Sequence, residues 1–426
     1  MIASRPPETV AHPVALAEEA PAPAASTAEP VDPHRLADTL DDRMSASGIS
    51  EGLSAYVVDA ETGATLFAQG EGQAAVPAST TKGVTAVAAL QALGPDARIT
   101  TDVVQGAAPD QIILVGGGDP TLTEVVRPGE YPRLATLEEL ADSTAGELLA
   151  AGVRSVRLGY DDSAYTGSEM GPGWKPGYVS EGSVAPVHAL MMDGGRVYRE
   201  ERYTERVGDP PRVAAEAFAR QLDAAGITVQ GAPAPATAAA DATPVASVES
   251  APVSALVERM MLESDNNIAE ALARQVAKAE GEEMSFQGGS VAVERVISGL
   301  GVTDVQVDDG SGLSVNNRIT PKALVDLLRI ASDDAHPDLH YAVSGLPTAR
   351  FTGTLSDRYA ASGPSAAGAG LIRAKTGTLN GVSTLAGTAY DAEGRLLLFA
   401  FMANDPAAEG RILDGFASAL VECDCP

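Results

Sequence analysis

The first stretch of the chain has almost no apolar periodicity. Residues 1 to about 35 are rich in Pro, Ala and Glu, as in Ala20-Pro21-Ala22-Pro23-Ala24-Ala25. Such a composition has too little apolar surface to offset the entropy of ordering, so a disordered linker is expected over 1–35. The pattern then changes. A helical period runs from about Pro33 to Ala46, and two strand patterns follow, Leu53 to Asp59 and Thr65 to Gln69, turning at Glu61-Thr62-Gly63. The run Gly83 to Leu90 is apolar enough for a buried helix. Near the far end, Val382 to Ala389 and Arg395 to Met402 read as two strands joined at Asp391-Ala392-Glu393-Gly394, and a last helix spans about Arg411 to Val421. These pieces predict an antiparallel sheet flanked by helices, with the two ends of the domain side by side.

Between them lies a region of different rhythm, about 97–245. It offers strands at Gln111 to Val115 and Val153 to Tyr160, and helices at Leu137 to Ala150 and Val213 to Ala225. Residues 231–243 are rich in Ala, Pro and Thr and read as a surface loop or boundary. Amphipathic stretches at Val253 to Leu262 and Ile268 to Val276 return the chain to the first domain. The expected division is therefore 1–35 linker, 36–96 with 246–426 as one domain, and 97–245 as an inserted one.

Three short strings carry candidate chemistry: Ser79-Thr80-Thr81-Lys82, Ser264-Asp265-Asn266 and Lys375-Thr376-Gly377-Thr378. A serine hydroxyl is a poor nucleophile near neutral pH and needs a base within hydrogen-bond reach. Ser79 and Lys82 share a face if a helix begins near Ser79. The start of that helix also favours developing negative charge at the Ser79 N–H. Lys82 must be neutral part of the time to accept a proton; burial and a neighbouring cation such as Lys375 favour that form. Alone, the pair reads more readily as a capping serine beside a solvated lysine. Ser264-Asp265-Asn266 falls at a helix–helix junction, where all three types also serve as caps. Lys375-Thr376-Gly377-Thr378 is expected on the first strand of the C-terminal hairpin, facing the nucleophile. Its lysine and threonine hydroxyls suit a carboxylate, Gly377 allows close backbone approach, and the Thr378 N–H is a candidate oxyanion donor.

The three strings in this order are the S-x-x-K, S-D-N and K-T-G motifs of serine acyl-enzyme hydrolases. The chain resembles a low-molecular-mass class C penicillin-binding protein of the D-alanyl-D-alanine carboxypeptidase/endopeptidase family. Further strings carry the resemblance: Val115-Gly116-Gly117-Gly118-Asp119-Pro120-Thr121-Leu122, Asp161-Asp162-Ser163 with Trp174, and Asp309-Gly310-Ser311-Gly312-Leu313-Ser314 followed by Asn317-Arg318 and Thr320-Pro321. It covers roughly 36–420.

The resemblance implies an α+β fold, a penicillin-binding or serine β-lactamase-like domain with an inserted α/β domain, here shorter than usual for the family. It implies Ser79 as nucleophile, Lys82 as general base and Ser264 as proton shuttle. Asn266 would anchor the acyl side chain, Lys375, Thr376 and Thr378 would hold the terminal carboxylate, and Arg318 and Leu379 would lie near the peptide side chain. The substrates would be peptidoglycan stem peptides ending in D-Ala-D-Ala, with β-lactam antibiotics acylating Ser79. Two rivals stay open. One is a serine β-lactamase, against which the long interval between Lys82 and Ser264 argues. The other is an inactive wall-binding or β-lactam-sensing module, against which the full set of catalytic residue types argues.

Composition adds limits. The net charge of −29 argues against a nucleic-acid phosphate partner. No metal or cofactor is expected: the five histidines form no zinc pattern, and two thiolates are too few for a site. Cys423 and Cys425 are separated by a single residue, so a bond between them would close a very small, strained ring. No run approaches the ~20 apolar residues of a membrane span, and the N-terminus lacks a basic-plus-apolar signal pattern. The implied substrate lies outside the cytoplasmic membrane, so a signal or anchor is expected outside this sequence.

Overall fold

The computed structural model describes residues 31–49, 51–199 and 204–423. Most of the expected linker lies outside these residues. Its last part does not behave as linker: Val31 is buried in the core, and Asp32 caps helix α1 (Pro33–Ser45), accepting from the His34 N–H at 2.9 Å. Pro33 at the first helical position needs no donor there, and Leu36, Leu40 and Met44 form the buried stripe.

Strands β1 (Leu53–Asp59) and β2 (Thr65–Gln69) follow, then helix α2 (Thr81–Leu93). The chain leaves for a second sheet: β3 (Thr100–Gln105), β4 (Gln111–Gly116), helix α3 (Leu137–Ala150), β5 (Ser155–Asp161), helix α4 (Pro210–Ala224), the two-residue β6 (Thr228–Val229) and β7 (Ala234–Pro235), and β8 (Pro244–Glu249). β4 and β5 are parallel, joined by the α3 crossover. β3 lies antiparallel between β4 and β8, and α3 and α4 pack on the sheet. This sheet runs past residue 245 to Glu249, so its last strand was missed by four residues of the expected boundary. Where it joins the rest of the molecule, Ile99 and Ser250 exchange hydrogen bonds, so the chain leaves and returns at one point.

The return begins with helices α5 (Val253–Glu263), α6 (Asn266–Ala279) and α7 (Phe286–Gly299), the small pair β9 (Val305–Gln306) and β10 (Arg318–Ile319), and helices α8 (Pro321–Ala331) and α9 (Tyr341–Ser344). Strands β11 (Ile372–Leu379), β12 (Val382–Tyr390) and β13 (Leu396–Asn404) and helix α10 (Gly410–Glu422) close the fold. The first sheet has the order β11-β12-β13-β1-β2, antiparallel throughout. β13 reads as an unbroken apolar run because both its faces are covered. Leu397, Phe399 and Phe401 face α1 and α10, while Leu398, Ala400 and Met402 face the helical layer built around α2. The two ends of the domain do meet: Arg43 on α1 pairs with Glu422 and donates to the Gly415 carbonyl on α10. Cys423, just after α10, is disulfide-bonded, against the argument from its spacing; Cys425 lies outside the described residues.

Candidate active site

Ser79 sits in a single 3₁₀ turn, Ala78–Thr80, that runs directly into α2. Ala78 has φ +47°, a left-handed conformation disfavoured for a residue with a Cβ. Side-chain hydroxyls hold the turn: Thr384 and Thr80 both donate to the Pro77 carbonyl at 2.7 Å, and Thr81 donates to the Ala78 carbonyl at 2.9 Å. One helical turn on, Lys82 is fully buried. Its Nζ lies 3.1 Å from Ser79 Oγ and donates to Asn266 Oδ1 and the Ser311 carbonyl, each at 2.6 Å.

Ser264 ends α5 in the left-handed region, φ +57° and ψ +42°, and Asp265 immediately caps α6 through the Ile268 N–H. Ser264 and Asp265 are thus the whole joint between two helices, and Asn266 is the first residue of α6. Lys375 Nζ donates to Ser264 Oγ at 2.9 Å. Asn266 Nδ2 donates to the Ser183 carbonyl at 2.9 Å, and Asp265 pairs with Arg196 at 2.7 Å. Burial raises the Asp265 pKa, but the Arg196 charge and hydrogen bond, helped by Arg206 and Arg259, outweigh it and leave the carboxyl well below its ordinary value.

Lys375, Thr376, Gly377 and Thr378 lie on β11, the edge strand, and not on the first strand of the expected hairpin. That expectation took one strand too few. Asn380-Gly381, with Gly381 at φ +69°, turns β11 directly into β12, and an Asn-Gly pair is itself a hairpin signal. The structure gives Gly377 a further reason. A Cβ there would lie 2.1 Å from Thr384 Oγ1, 2.7 Å from the Pro77 carbonyl oxygen and 3.0 Å from Ser79 N. The bare Cα is needed to seat the nucleophile turn on the strand. Thr376 Oγ1 bonds Thr354 Oγ1 at 3.0 Å, and the Thr378 side chain is exposed.

A cleft joins these parts. Ser79, Ser264, Asn266, Thr376, Thr378 and Leu379 line it. Lys82 and Lys375 lie beneath, reaching Ser79 and Ser264. Arg318 does not join them: it is exposed on β10, where its Nη1 donates to the Val315 and Asn317 carbonyls. Its place beside the motif loop in sequence does not carry its side chain to the cleft.

Sequence reasoning missed the other wall. Tyr178, Ser183, Arg196 and Arg206 come from the region 97–245 and line the same cleft. Arg206 donates to the Gly182 and Gly194 carbonyls, bracing the segment that receives Asn266. The one available signal was Trp174, whose indole N–H bonds Asp309 at 2.7 Å and so joins two strings quoted separately above. Among the described residues no cluster of three or more His, Cys, Asp or Glu could hold a metal. No helix among them is long and apolar enough to cross a membrane.

Residues 36–213 and 198–421 match the D-Ala-D-Ala carboxypeptidase 3 (S13) family. The chain is 37% identical over 379 residues to carboxypeptidase DacB of Mycolicibacterium smegmatis, covering 88% of this chain and 81% of that protein. It is 28% identical over 423 residues to a D-alanyl-D-alanine carboxypeptidase of Actinomadura sp., covering 80% and 75%. The crystal structure of penicillin-binding protein 4 from Haemophilus influenzae superposes with a TM-score of 0.72 at 24% identity, over 89% of this chain and 98% of that one, which bears on the fold. A motif cleft on this fold and a match over nearly the whole described chain place it: the protein belongs to the D-Ala-D-Ala carboxypeptidase 3 (S13) family, the class C penicillin-binding proteins.

Proposed function

We propose that the protein is a serine D-alanyl-D-alanine carboxypeptidase that trims peptidoglycan stem peptides outside the cytoplasmic membrane. The observation that carries this is the pair of lysine–serine contacts across the cleft, Lys82 to Ser79 at 3.1 Å and Lys375 to Ser264 at 2.9 Å. Neutral Lys82 takes the Ser79 proton as Oγ attacks the carbonyl of the penultimate D-alanine. The oxyanion forms against the backbone N–H groups of Ser79 and Thr378. Ser264, oriented by Lys375, gives its hydroxyl proton to the departing amine and regains one from protonated Lys82, which returns the base to its neutral form. Thr376 and Thr378 hold the terminal carboxylate beside the Lys375 charge, Leu379 borders the peptide side chain, and Asn266 holds the acyl side. Water then hydrolyses the ester on Ser79.

The same steps release a cross-linked amine in place of free D-alanine, so D,D-endopeptidase action belongs to this reading. A β-lactam presents the same amide in a ring. It acylates Ser79 and keeps its leaving group tethered. The family membership and the size of the region between Lys82 and Ser264 weigh against a dedicated β-lactamase.

The test is intact-mass analysis after mixing with benzylpenicillin, peptide mapping of the adduct, and assay of D-alanine release from a D-Ala-D-Ala peptide. One adduct on Ser79 and loss of both activities in Ser79→Ala are expected. An adduct that persists in Ser79→Ala overturns the nucleophile. An acylated wild type that releases no D-alanine overturns the carboxypeptidase.

A further inference from the structure

Glu270 is a carboxylate in the middle of α6, 1% exposed, and the mechanism above does not use it. It stands one helical turn after Asn266, on the same face. Its Oε1 accepts from the Ser311 N–H at 2.9 Å, and its Oε2 accepts from the Gly310 N–H at 3.3 Å and from Arg274 Nη1 at 3.3 Å. The Ser311 carbonyl is one of the groups that receive Lys82 Nζ. Consecutive turns of α6 therefore reach the same lysine, Asn266 directly and Glu270 through one residue, Ser311.

We propose that Glu270 is a positioning residue for Lys82: its carboxylate anchors the Gly310 and Ser311 N–H groups, so that the Ser311 carbonyl in the next peptide holds Nζ beside Ser79. This deepens the assignment of Lys82 as base and rests on it.

An ionised carboxylate suits this role because it only accepts, and three donors point at it. The ionised state is costly to bury. Burial, with the Asp309 charge next, pushes the Glu270 pKa up to about 7, while Arg274 and the Ser311 and Gly310 N–H groups pull it down. Asp309 faces the carboxylate from the loop, spending its own oxygens on the Gly312 and Ser314 N–H groups, Trp174 and Asn317. Arg274 follows on α6, with its guanidinium over the rings of Tyr165 and Phe286. Lys82 lies on α2 beyond Ser311, and on α7 Glu294 turns to the Val307 N–H. A protonated Glu270 would aim an O–H where N–H donors already point, which loosens the loop that Lys82 leans on.

A residue that is only the structural counter-ion of Arg274 predicts something different, and pH separates the two. The experiment is the rate of benzylpenicillin acylation of the full chain, wild type and Glu270→Gln, from about pH 5.5 to 8.5. At the alkaline end the variant is expected to acylate roughly 10- to 100-fold more slowly, the usual scale of a small misplacement. At the acid end, where wild-type Glu270 is itself neutral, the two rates are expected to converge to within about threefold. A constant ratio across the range, or no loss at high pH, overturns the proposal. If Glu270→Gln does not fold, Arg274→Gln serves. Removing that cation raises the Glu270 pKa further, so the acid limb of the profile should move to higher pH. An unmoved limb overturns the proposal as well. Loss of all acylation by wild type at every pH would instead count against Ser79 and Lys82, and so against the reading beneath.

Discussion

Asn266 Oδ1 accepts a 2.6 Å hydrogen bond from Lys82 Nζ, and the orientation of the whole amide is fixed. The Ser183 carbonyl only accepts, so the amide nitrogen must face Ser183 and its oxygen is left to Lys82, which keeps N–H groups to donate in either protonation state. The base-to-be and the wall contributed by the region 97–245 are therefore joined through one side chain. Asn267 adds a second tie, its Oδ1 accepting from the Ala185 N–H at 3.1 Å.

Lys82→Ala should reduce benzylpenicillin acylation by ~10²–10⁴-fold, the range for a positioned proton transfer. Stopped-flow or intact-mass kinetics on a variant whose far-ultraviolet circular dichroism matches wild type would measure it. An acylation rate near wild type removes Lys82 from the reaction.

Arg196→Met leaves Asp265 buried without its partner. Loss of one member of such a pair costs about 3–5 kcal/mol. The pH dependence has a sign. In wild type the Asp265 pKa is depressed, so its contribution to stability is present above the ordinary carboxylate pKa and is lost as pH falls through the folded value. In the variant burial is opposed only by Arg206, Arg259 and the Ile268 N–H, so that pKa rises and the stability gained as pH climbs through the ordinary carboxylate range is reduced. Urea unfolding at about pH 4.5 and pH 8 should show the deficit of the variant growing with pH. A deficit that shrinks with pH would place the Asp265 charge outside the balance described.

What the sequence made legible follows from which interactions are local. Ser79 and Lys82 are a turn apart, and Ser264 to Asn266 are consecutive, so helix geometry alone put each group together. The central strands β1 and β13 were plain because apolar residues fill both faces. The edge strand β11 was not read as a strand of its own, since Arg373, Thr376 and Thr378 interrupt its apolar pattern. The wall of Ser183, Arg196 and Arg206 was illegible for another reason. Its residues meet the S-D-N joint only through the tertiary fold, at sequence separations that no periodicity spans. Arg318 shows the converse, a residue adjacent to a motif whose side chain turns away to its own loop.

Gly377→Ala should damage both stability and acylation. The added Cβ would overlap Thr384 Oγ1 and press on the Pro77 carbonyl and Ser79 N. Overpacking of this kind costs about 1–3 kcal/mol, and relief requires moving the turn that carries the nucleophile. A lower melting temperature and slower acylation are expected together. The double variant Gly377→Ala/Thr384→Ala should recover little acylation, because the Pro77 carbonyl is backbone and remains in place. Full recovery would mean that the Thr384 hydroxyl is the whole conflict.

Thr378 tests carboxylate recognition. Its side chain is exposed in the cleft on the strand that also carries Lys375 and Thr376. A carboxypeptidase must hold a free terminal carboxylate, and hydrogen bonds to a charged group are roughly twice as strong as neutral ones. Thr378→Val keeps the branched shape suited to a strand and keeps the backbone N–H, removing one hydroxyl donor. The expected result is a substantial fall in kcat/KM for a peptide ending in a free D-alanine carboxylate. The matched C-terminal amide, with no charge to recognise, should lose much less. Steady-state kinetics on the acid and the amide, for wild type and variant, give the comparison directly. Equal losses on both substrates would assign Thr378 to the shape of the strand or the oxyanion site, and would leave the terminal carboxylate to Lys375 and Thr376.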